Sequence, residues 1–507
     1  MSKKYLISAP PPTPNGDLHL GHLSGPYFNA DIFSRSQRLL GNITSYLCST
    51  DDHQSFVITK AKQENRSPQV VIDDYHNKIK NTLLAANIRM DCFTKPNTSR
   101  YRERVQQFFL DLYKKGALEE IIENNLYCSE CKEYLFEAHV KGKCPHCQSN
   151  SSGNYCEACG NPNDPTQLIN PICTTCGKHP ETKPMKKIVF PLEKYRKPLE
   201  NYYSQLSKNW RPHLQQYIEQ LMSKPLPDVP IINYYDWGIP VPLESYKGYV
   251  LNVWFEMLPG LFETAEVFKE QSGETEDFWN INSEFNIIQF LGFDNSFYYT
   301  VLHPALLIAS GNYKLSDQFI TNKFYLLDNE KFSTSRGHAI WGIDFLRKEP
   351  SDWVRYFLSL TNPENMEANF NLSNYREVVN YHQLEWHNFT EKHMEILSSY
   401  KEDMLDEEMK QLIEKYEIEF KKNYSPETFS ISSSAKNIHN FINDCNNLIN
   451  IKTSYKNSYY ALRALCIFAS PIIPNLSKRI WGWLGLKDNI SWSELKSDIE
   501  EVELLRI

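Results

Sequence analysis

Two histidines three residues apart, His19 and His22, follow three consecutive prolines and an Asn-Gly pair in "SAPPPTPNGDLHLGHLSG" (8–25). Tyr5-Leu6-Ile7-Ser8-Ala9 before them reads as a short buried strand, and the residues after them, through Phe28, Ile32 and Phe33, read as a helix. The expected arrangement is strand, tight loop, helix, with both imidazoles near the helix N-terminus. Backbone N–H groups point outward there, and the helix dipole favours an anion. Two imidazoles one turn apart share a face and can donate to one phosphate together. Taken alone, they are equally well two surface histidines behind a proline-rich loop.

Eight of the twelve cysteines form four Cys-x-x-Cys pairs: Cys128/Cys131, Cys144/Cys147, Cys156/Cys159 and Cys173/Cys176. Thiolates from two such turns, brought together, give a tetrahedral set that suits Zn²⁺, so four turns predict two structural zinc sites rather than redox dithiols. Sequential sites would use Cys128 to Cys147 and Cys156 to Cys176. Nested sites would place Cys144, Cys147, Cys156 and Cys159 inside the outer four, and the spacing decides neither. His146 and His179 could substitute as ligands, but four cysteines per site make them unnecessary. The intervening chain, "KGKCPHCQSNSSGNYCEACGNPNDPT", is too polar to fold around its own core, so metal binding would supply the folding free energy. Cys48, Cys92, Cys445 and Cys466 stand among apolar neighbours and read as core residues.

Downstream, "NIIQFLGFD" (286–294) reads as a second buried strand ending in Gly292 and Asp294. A glycine at the carboxyl end of a strand lets a ligand approach the backbone, and a nearby aspartate can accept from ribose hydroxyls. In "LLDNEKFSTSRGHAI" (326–340), Lys331, Ser333, Thr334, Ser335 and Arg336 stand beside Gly337 between two apolar runs. A basic loop rich in hydroxyls suits a triphosphate, and is otherwise a plain surface loop.

These groups need a frame. At 507 residues the chain is too long for one core, and three or four domains are expected. With 41% hydrophobic and 23% charged residues it has the composition of a soluble globular protein. The net charge of −8 argues against nonspecific coating of nucleic acid without excluding a local basic surface. There is no secretory signal pattern and no run of eighteen apolar residues, so neither a membrane span nor export is expected, and the cytoplasm is the default. The C-terminal third reads as helical. Met409, Leu412, Ile413, Tyr416 and Phe420 keep a 3.6 period, as do Ala435, Ile438, Phe441, Ile442, Cys445, Leu448 and Ile449, the latter entered through Ser434 as N-cap. The charges over 401–422 read as a solvated face.

His19-Leu20-Gly21-His22 resembles the HIGH signature of class I aminoacyl-tRNA synthetases, and Lys331-Phe332-Ser333-Thr334-Ser335 resembles their KMSKS loop. The cysteine insertion between the two signatures is similar to that of the methionine-tRNA ligases in particular. Further similarity lies in "STDDHQ" (49–54), "DWGIPVP" (236–242), "VWFEMLPG" (253–260), "GFDNSFYYTVLHP" (292–304) and "FASPIIPNLSKRIWGWLGL" (468–486). The resemblance implies a Rossmann-like, doubly wound parallel sheet split by a zinc-binding insertion, followed by a C-terminal α-helical bundle. Its divisions would be 1–118 and 232–325 for the catalytic halves, 119–231 for the insertion, 326–385 for a stem and 386–507 for an anticodon-binding-type helical domain. It implies activation of an amino acid, methionine or a related one, with ATP and Mg²⁺, and transfer to tRNA through the C-terminal helices. Catalysis falls to His19, His22, Lys331, Ser333 and Ser335. Asn15, Gly21, Gly292 and Asp294 would hold ATP, and Thr13, Asp52, Trp254 and Tyr299 the amino acid, with Asp52 pairing with its ammonium group.

The sequence departs from this pattern at definite positions. Thr334 stands where the second lysine of KMSKS is expected, with Arg336 or Lys323 as substitute cations. In the amino-acid pocket Pro11, Thr13, Met257-Leu258, Leu261 and Tyr299 replace the family's Leu, Tyr, Ala-Pro, Tyr and His. Asn388 fits an Asn-x-x-x-Arg pair in the helical domain, but Lys392 replaces the arginine, and the stacking Pro-Trp is missing from "NNLINIKTSYKNS" (446–458). Two other readings follow: a paralogue that activates a different amino acid for a non-standard acceptor, and a catalytically weak nucleotide-binding regulatory protein.

Overall fold

The computed structural model describes residues 2–332, 337–399, 405–451, 454–486 and 489–495. Its centre is a parallel sheet of five strands: β1 (Lys4–Ser8), β2 (Ile43–Ser49), β3 (Cys92–Thr94), β4 (Asn286–Gly292) and β5 (Gln318–Asn322). They lie in the order β3-β2-β1-β4-β5. A parallel sheet must be covered on both faces, and the period of β1 shows how: Tyr5 and Ile7 enter one core while Leu6 enters the other. The first core continues through Phe33 and Phe357 into the C-terminal helices; the second contains Leu47, Phe255 and Ile287. Register pairs Ile7 with Ile288 and Ser8 with Gln289, so the ends of β1 and β4 lie side by side where the strand order reverses. In a doubly wound sheet the crevice outside those carboxyl ends is where ligands bind.

Between β3 and β4 the chain leaves the sheet along a long antiparallel ladder, Glu119–Cys128 against Glu181–Pro191. Its register sets Tyr127 opposite Glu181, which brings the first cysteine pair beside the fourth. Inside the ladder's end sits a small sheet of Val140–Lys143, Asn150–Ser152 and Ile169–Cys173. Its apolar content amounts to Leu126, Leu135, Val140 and Leu168 packed around Cys128 and Cys173, as a segment without a core of its own requires.

The C-terminal part is a set of helices: Leu372–Ser399, Glu407–Asn423, Ile431–Ile451, Tyr455–Ala469 and Pro474–Trp483. Met409, Ile413, Tyr416 and Phe420 are buried at the spacing the period gives, and so are Ala435, Ile438, Phe441, Ile442, Cys445 and Ile449. The expected N-cap is displaced. The helix begins at Ile431, the Ser430 hydroxyl accepts from the Ser433 N–H (3.1 Å), and Ser434 lies inside the helix, donating to the Ser430 carbonyl (3.0 Å). Four serines within residues 430–434 leave the cap to be chosen by packing. Residues 401–404 of the charged run lie outside the described residues. Cys48, Cys92, Cys445 and Cys466 are all buried, as their apolar neighbours indicate.

Candidate active site

The chain leaves β1 through the prolines, turns at 14–16, and enters a single helical turn, Leu20–His22. The expected continuous helix is broken: Leu23–Tyr27 forms a wider turn around Gly25 and Pro26, and the regular helix begins at Phe28. Proline inside a helix removes a donor and crowds the preceding turn, which accounts for the break. His19 and His22 cap one another. The His22 N–H donates to His19 Nδ1 and the His19 N–H donates to His22 Nδ1, both at 3.2 Å. The rings stack at 3.6 Å between centroids. Burial drives the His22 pKa down to about 4 and that of His19 well below its ordinary value. Both rings are therefore neutral near pH 7, and with Nδ1 accepting, each carries its proton on Nε2. The pair presents two N–H donors without a net charge.

The segment that follows Leu327 returns to this turn. Phe332 stacks on His19 with centroids 4.7 Å apart, and beyond the loop the Leu20 N–H donates to the Ile340 carbonyl (3.0 Å) and the Gly342 N–H to that of Leu18 (2.7 Å). Gly21 is required by this contact: a Cβ there would stand 2.9 Å from the Phe332 ring and 3.1 Å from that of His19. Ser333, Thr334, Ser335 and Arg336 lie outside the described residues. Lys331 is held by Glu157 (2.8 Å); burial opposes its charge, but Glu157 and Asp294 outweigh that and raise its pKa. Gly292 ends β4, where a Cβ would meet the Asp294 carboxylate at 2.6 Å, and burial pushes the Asp294 pKa up. Lys323, at the end of β5, sits over the Phe293 ring at 4.9 Å. His19, His22, Gly21, Lys331, Gly292 and Asp294 thus gather at the carboxyl end of the sheet, with Asn15 in the turn that leads to them.

The amino-acid candidates gather around buried acids. Asp51 donates its N–H to the Pro12 carbonyl (3.1 Å), which fixes the β2 end against the loop carrying Thr13. Asp52 is 2% exposed and neither carboxylate oxygen has a hydrogen-bond partner; burial pushes its pKa to about 6. Tyr299 is buried, its hydroxyl is unpartnered, and its ring lies 4.9 Å from that of His303. Trp254 stacks on Tyr298 at 3.8 Å, and its indole N–H donates to Glu137 (3.2 Å).

Sequence reasoning missed Glu137, Glu157, Glu256 and Phe332. Glu137 also accepts from the Ser55 hydroxyl (2.6 Å), and Glu256 accepts from Tyr101 (3.1 Å) and lies 2.6 Å from His53 Nδ1. Glu137 and Glu157 belong to the inserted segment, and no local pattern reveals that it folds back over the sheet. Phe332 was legible as a loop residue, without a sign of its partner.

The cysteines assemble in the nested arrangement: Cys128, Cys131, Cys173 and Cys176 in one cluster, Cys144, Cys147, Cys156 and Cys159 in the other. Sulfur separations of 3.5 Å (Cys128–Cys176), 3.8 Å (Cys131–Cys173 and Cys144–Cys159) and 3.6 Å (Cys147–Cys156) are close to the edge of about 3.8 Å that Zn–S bonds of about 2.3 Å impose on a tetrahedron. The donor sets fit zinc. His146 and His179 belong to neither cluster. The inner cluster carries Tyr155, whose ring meets Trp254 at 5.2 Å, and Glu157, which holds Lys331.

The family model for class I tRNA synthetases (M) matches residues 5–394. The chain belongs to this family. Among its relatives, the methionine–tRNA ligase of Methanobrevibacter smithii is 34% identical over 74% of this chain and 56% of its own length. That of Pyrococcus furiosus is 30% identical over 96% of this chain and 72% of its own. The chain therefore spans little more than half of the first relative and under three quarters of the second. Mycobacterium tuberculosis methionyl-tRNA synthetase in complex with methionyl-adenylate shares the fold, with a TM-score of 0.79 at 16% identity, covering 97% of this chain and 96% of that one. The same enzyme in its apo form gives a TM-score of 0.74, covering 100% of this chain and 97% of that one. Within this synthetase fold no helix among the described residues is long and apolar enough to cross a membrane.

Proposed function

We propose that the chain is an ATP-dependent aminoacyl-tRNA ligase of the methionine type. One observation supports the reading: Phe332 stacks on His19 and the Ile340 carbonyl accepts from the Leu20 N–H, so residues on both sides of 333–336 meet the histidine turn although they are remote from it in sequence. Residues 1–118 and 232–325 would form the activating body, 119–231 the zinc-bearing insertion, 326–385 the stem, and 386–507 the helices that meet tRNA. Two Zn²⁺ ions held by the nested thiolates would fix the insertion, and Mg²⁺ would share the charge of the triphosphate. The setting would be the cytoplasm.

In the reaction the substrate carboxylate attacks the α-phosphorus of ATP and pyrophosphate leaves; the acyl group then passes from the adenylate to a tRNA hydroxyl, and AMP leaves. The protein's part is orientation and charge stabilisation. The Nε2–H groups of His19 and His22 donate to phosphate oxygens, and Lys331, Ser333 and Ser335 close on the departing pyrophosphate. Asp294 and Gly292 hold the nucleoside, with Asn15 and Gly21 lining its approach. Asp52, ionised, pairs with the substrate ammonium, while Thr13, Trp254 and Tyr299 bound the side chain.

ATP–pyrophosphate exchange across a panel of amino acids tests this. Methionine-dependent exchange with charging of methionine tRNA is expected, and His19→Ala and His22→Ala should each abolish exchange while the unfolding transition persists. Exchange that survives both substitutions would refute the site. The buried, unpartnered Tyr299 hydroxyl favours one second reading, a paralogue that activates an amino acid with a polar side chain. Exchange with such an amino acid and not with methionine would establish it, and no exchange at all would leave a nucleotide-binding regulatory protein.

A further inference from the structure

Away from the crevice, three metal-ligating side chains meet in the C-terminal helices. His382 and Glu385 stand one turn apart on helix Leu372–Ser399, and His439 faces them from helix Ile431–Ile451. Residues three apart share a helix face, so the first two are presented together to the third. The Glu385 carboxylate lies between the rings, with Oε2 3.0 Å from His382 Nδ1 and Oε1 2.6 Å from His439 Nδ1. One ligand atom from each of the three residues lies within 4.8 Å of the other two. The imidazoles meet at 85° with centroids 5.1 Å apart, so they do not stack on each other and both turn a nitrogen to the same carboxylate.

The close approach of His439 is not a hydrogen bond: at 2.6 Å from Glu385, Nδ1 still has no partner in hydrogen-bond geometry. Donors that share one zinc-class ion stand about 3.3 Å apart, so an ion would seat here by a small opening of this contact. The Asn443 side-chain amide nitrogen lies 3.1 Å from His439 Nε2; with the amide turned over, its oxygen would accept Nε2–H and leave the Nδ1 lone pair toward Glu385, the support a ligating histidine ordinarily has. The site is closed on one side, where the His382 side chain is 10% exposed and the Tyr356 ring covers it at 4.9 Å. It is open on the other, where the His439 side chain is 28% exposed.

We propose that His382, Glu385 and His439 bind one divalent transition-metal ion of the zinc class. Two imidazoles and one carboxylate are a donor set for such ions, and three protein ligands leave a position for water or an external ligand. The ion joins the two helices and fixes helix Leu372–Ser399 one turn before Asn388. The inference does not depend on the proposed activity.

The test is titration of Co²⁺ alone into full-length protein in which metal analysis finds two zinc equivalents, those of the thiolate clusters, and no third. One added equivalent should bind with weak visible bands and without the charge-transfer absorption of cobalt–thiolate bonds, and it should be displaced by Zn²⁺. His439→Gln and Glu385→Gln should weaken this binding at least about tenfold while metal analysis still finds the thiolate-held zinc. The unfolding midpoint should rise with added metal in the parent protein and not in the variants. His439→Gln alters the most exposed ligand, so it keeps the test valid if substitution of His382 prevents folding. Absence of a cobalt equivalent in the parent, or equal binding by His439→Gln, would overturn the proposal and leave a carboxylate that shares protons with two imidazoles.

Discussion

At the scale of single residues, the crevice is defined by charge states that burial sets. His19 and His22 are held neutral, and their mutual capping fixes which nitrogen carries the proton. Asp52 is the converse case: burial pushes its pKa to about 6. If it pairs with the substrate ammonium, it must be ionised to do so. The kcat/KM for the amino acid in pyrophosphate exchange should therefore fall as pH drops below about 6, and Asp52→Asn should be weak at every pH without that limb. The contributions to stability have opposite signs. The unfolded chain binds a proton at His22 between about 6.5 and 4 that the folded chain refuses, so His22 stabilises above that window and its share is lost as pH falls through it. Asp52 binds its proton earlier in the folded chain, between about 6 and 3.8, so its contribution improves over the same descent.

At the scale of elements, the inserted segment is the surprise. Its ladder register places the outer cysteine pairs together, and its inner cluster carries Glu157 onto Lys331. Cys128→Ser and Cys176→Ser should each cost the same equivalent of zinc, and Cys144→Ser the other, as counted by metal analysis; loss of one shared equivalent by Cys128→Ser and Cys144→Ser would contradict nesting. If Lys331 meets a triphosphate as proposed, Glu157 competes with it for that lysine. Both partners are partly exposed, so the ion pair contributes at most about 1 kcal/mol, and Glu157→Gln should lower the KM for ATP by no more than about fivefold. An increase would mean that Glu157 orients Lys331 instead of occupying it.

At the scale of the whole molecule, Arg355 fastens the C-terminal helices to the helical layer that covers the sheet. It is fully buried, pairs with Asp31 at 2.7 Å, and donates to the carbonyls of Pro471 (2.8 Å), Ile472 (2.9 Å) and Asn87 (3.2 Å). Arg355→Met would leave buried Asp31 with one fewer guanidinium, held by Arg35 and by the Arg89 N–H, and a loss of about 3–5 kcal/mol is expected in urea unfolding. The reach of such long-range contacts also marks the limit of what could be read in advance. Strands β1 and β4, the tight turn at Asn15, the four cysteine pairs and the apolar stripes from Met409 to Ile449 were legible, because each is a local pattern of period, turn chemistry or ligand spacing. The nesting of the cysteines, Phe332 on His19, Glu137 on Trp254, Glu157 on Lys331 and the true helix start at Ile431 were not. Each joins residues whose separation in the chain exceeds any local period, or depends on which of several equivalent serines packing selects. Sequence by itself determined which side chains could do chemistry and in what kind of element; only tertiary structure decided which of them meet, because packing and ladder register are set by partners that no linear pattern names.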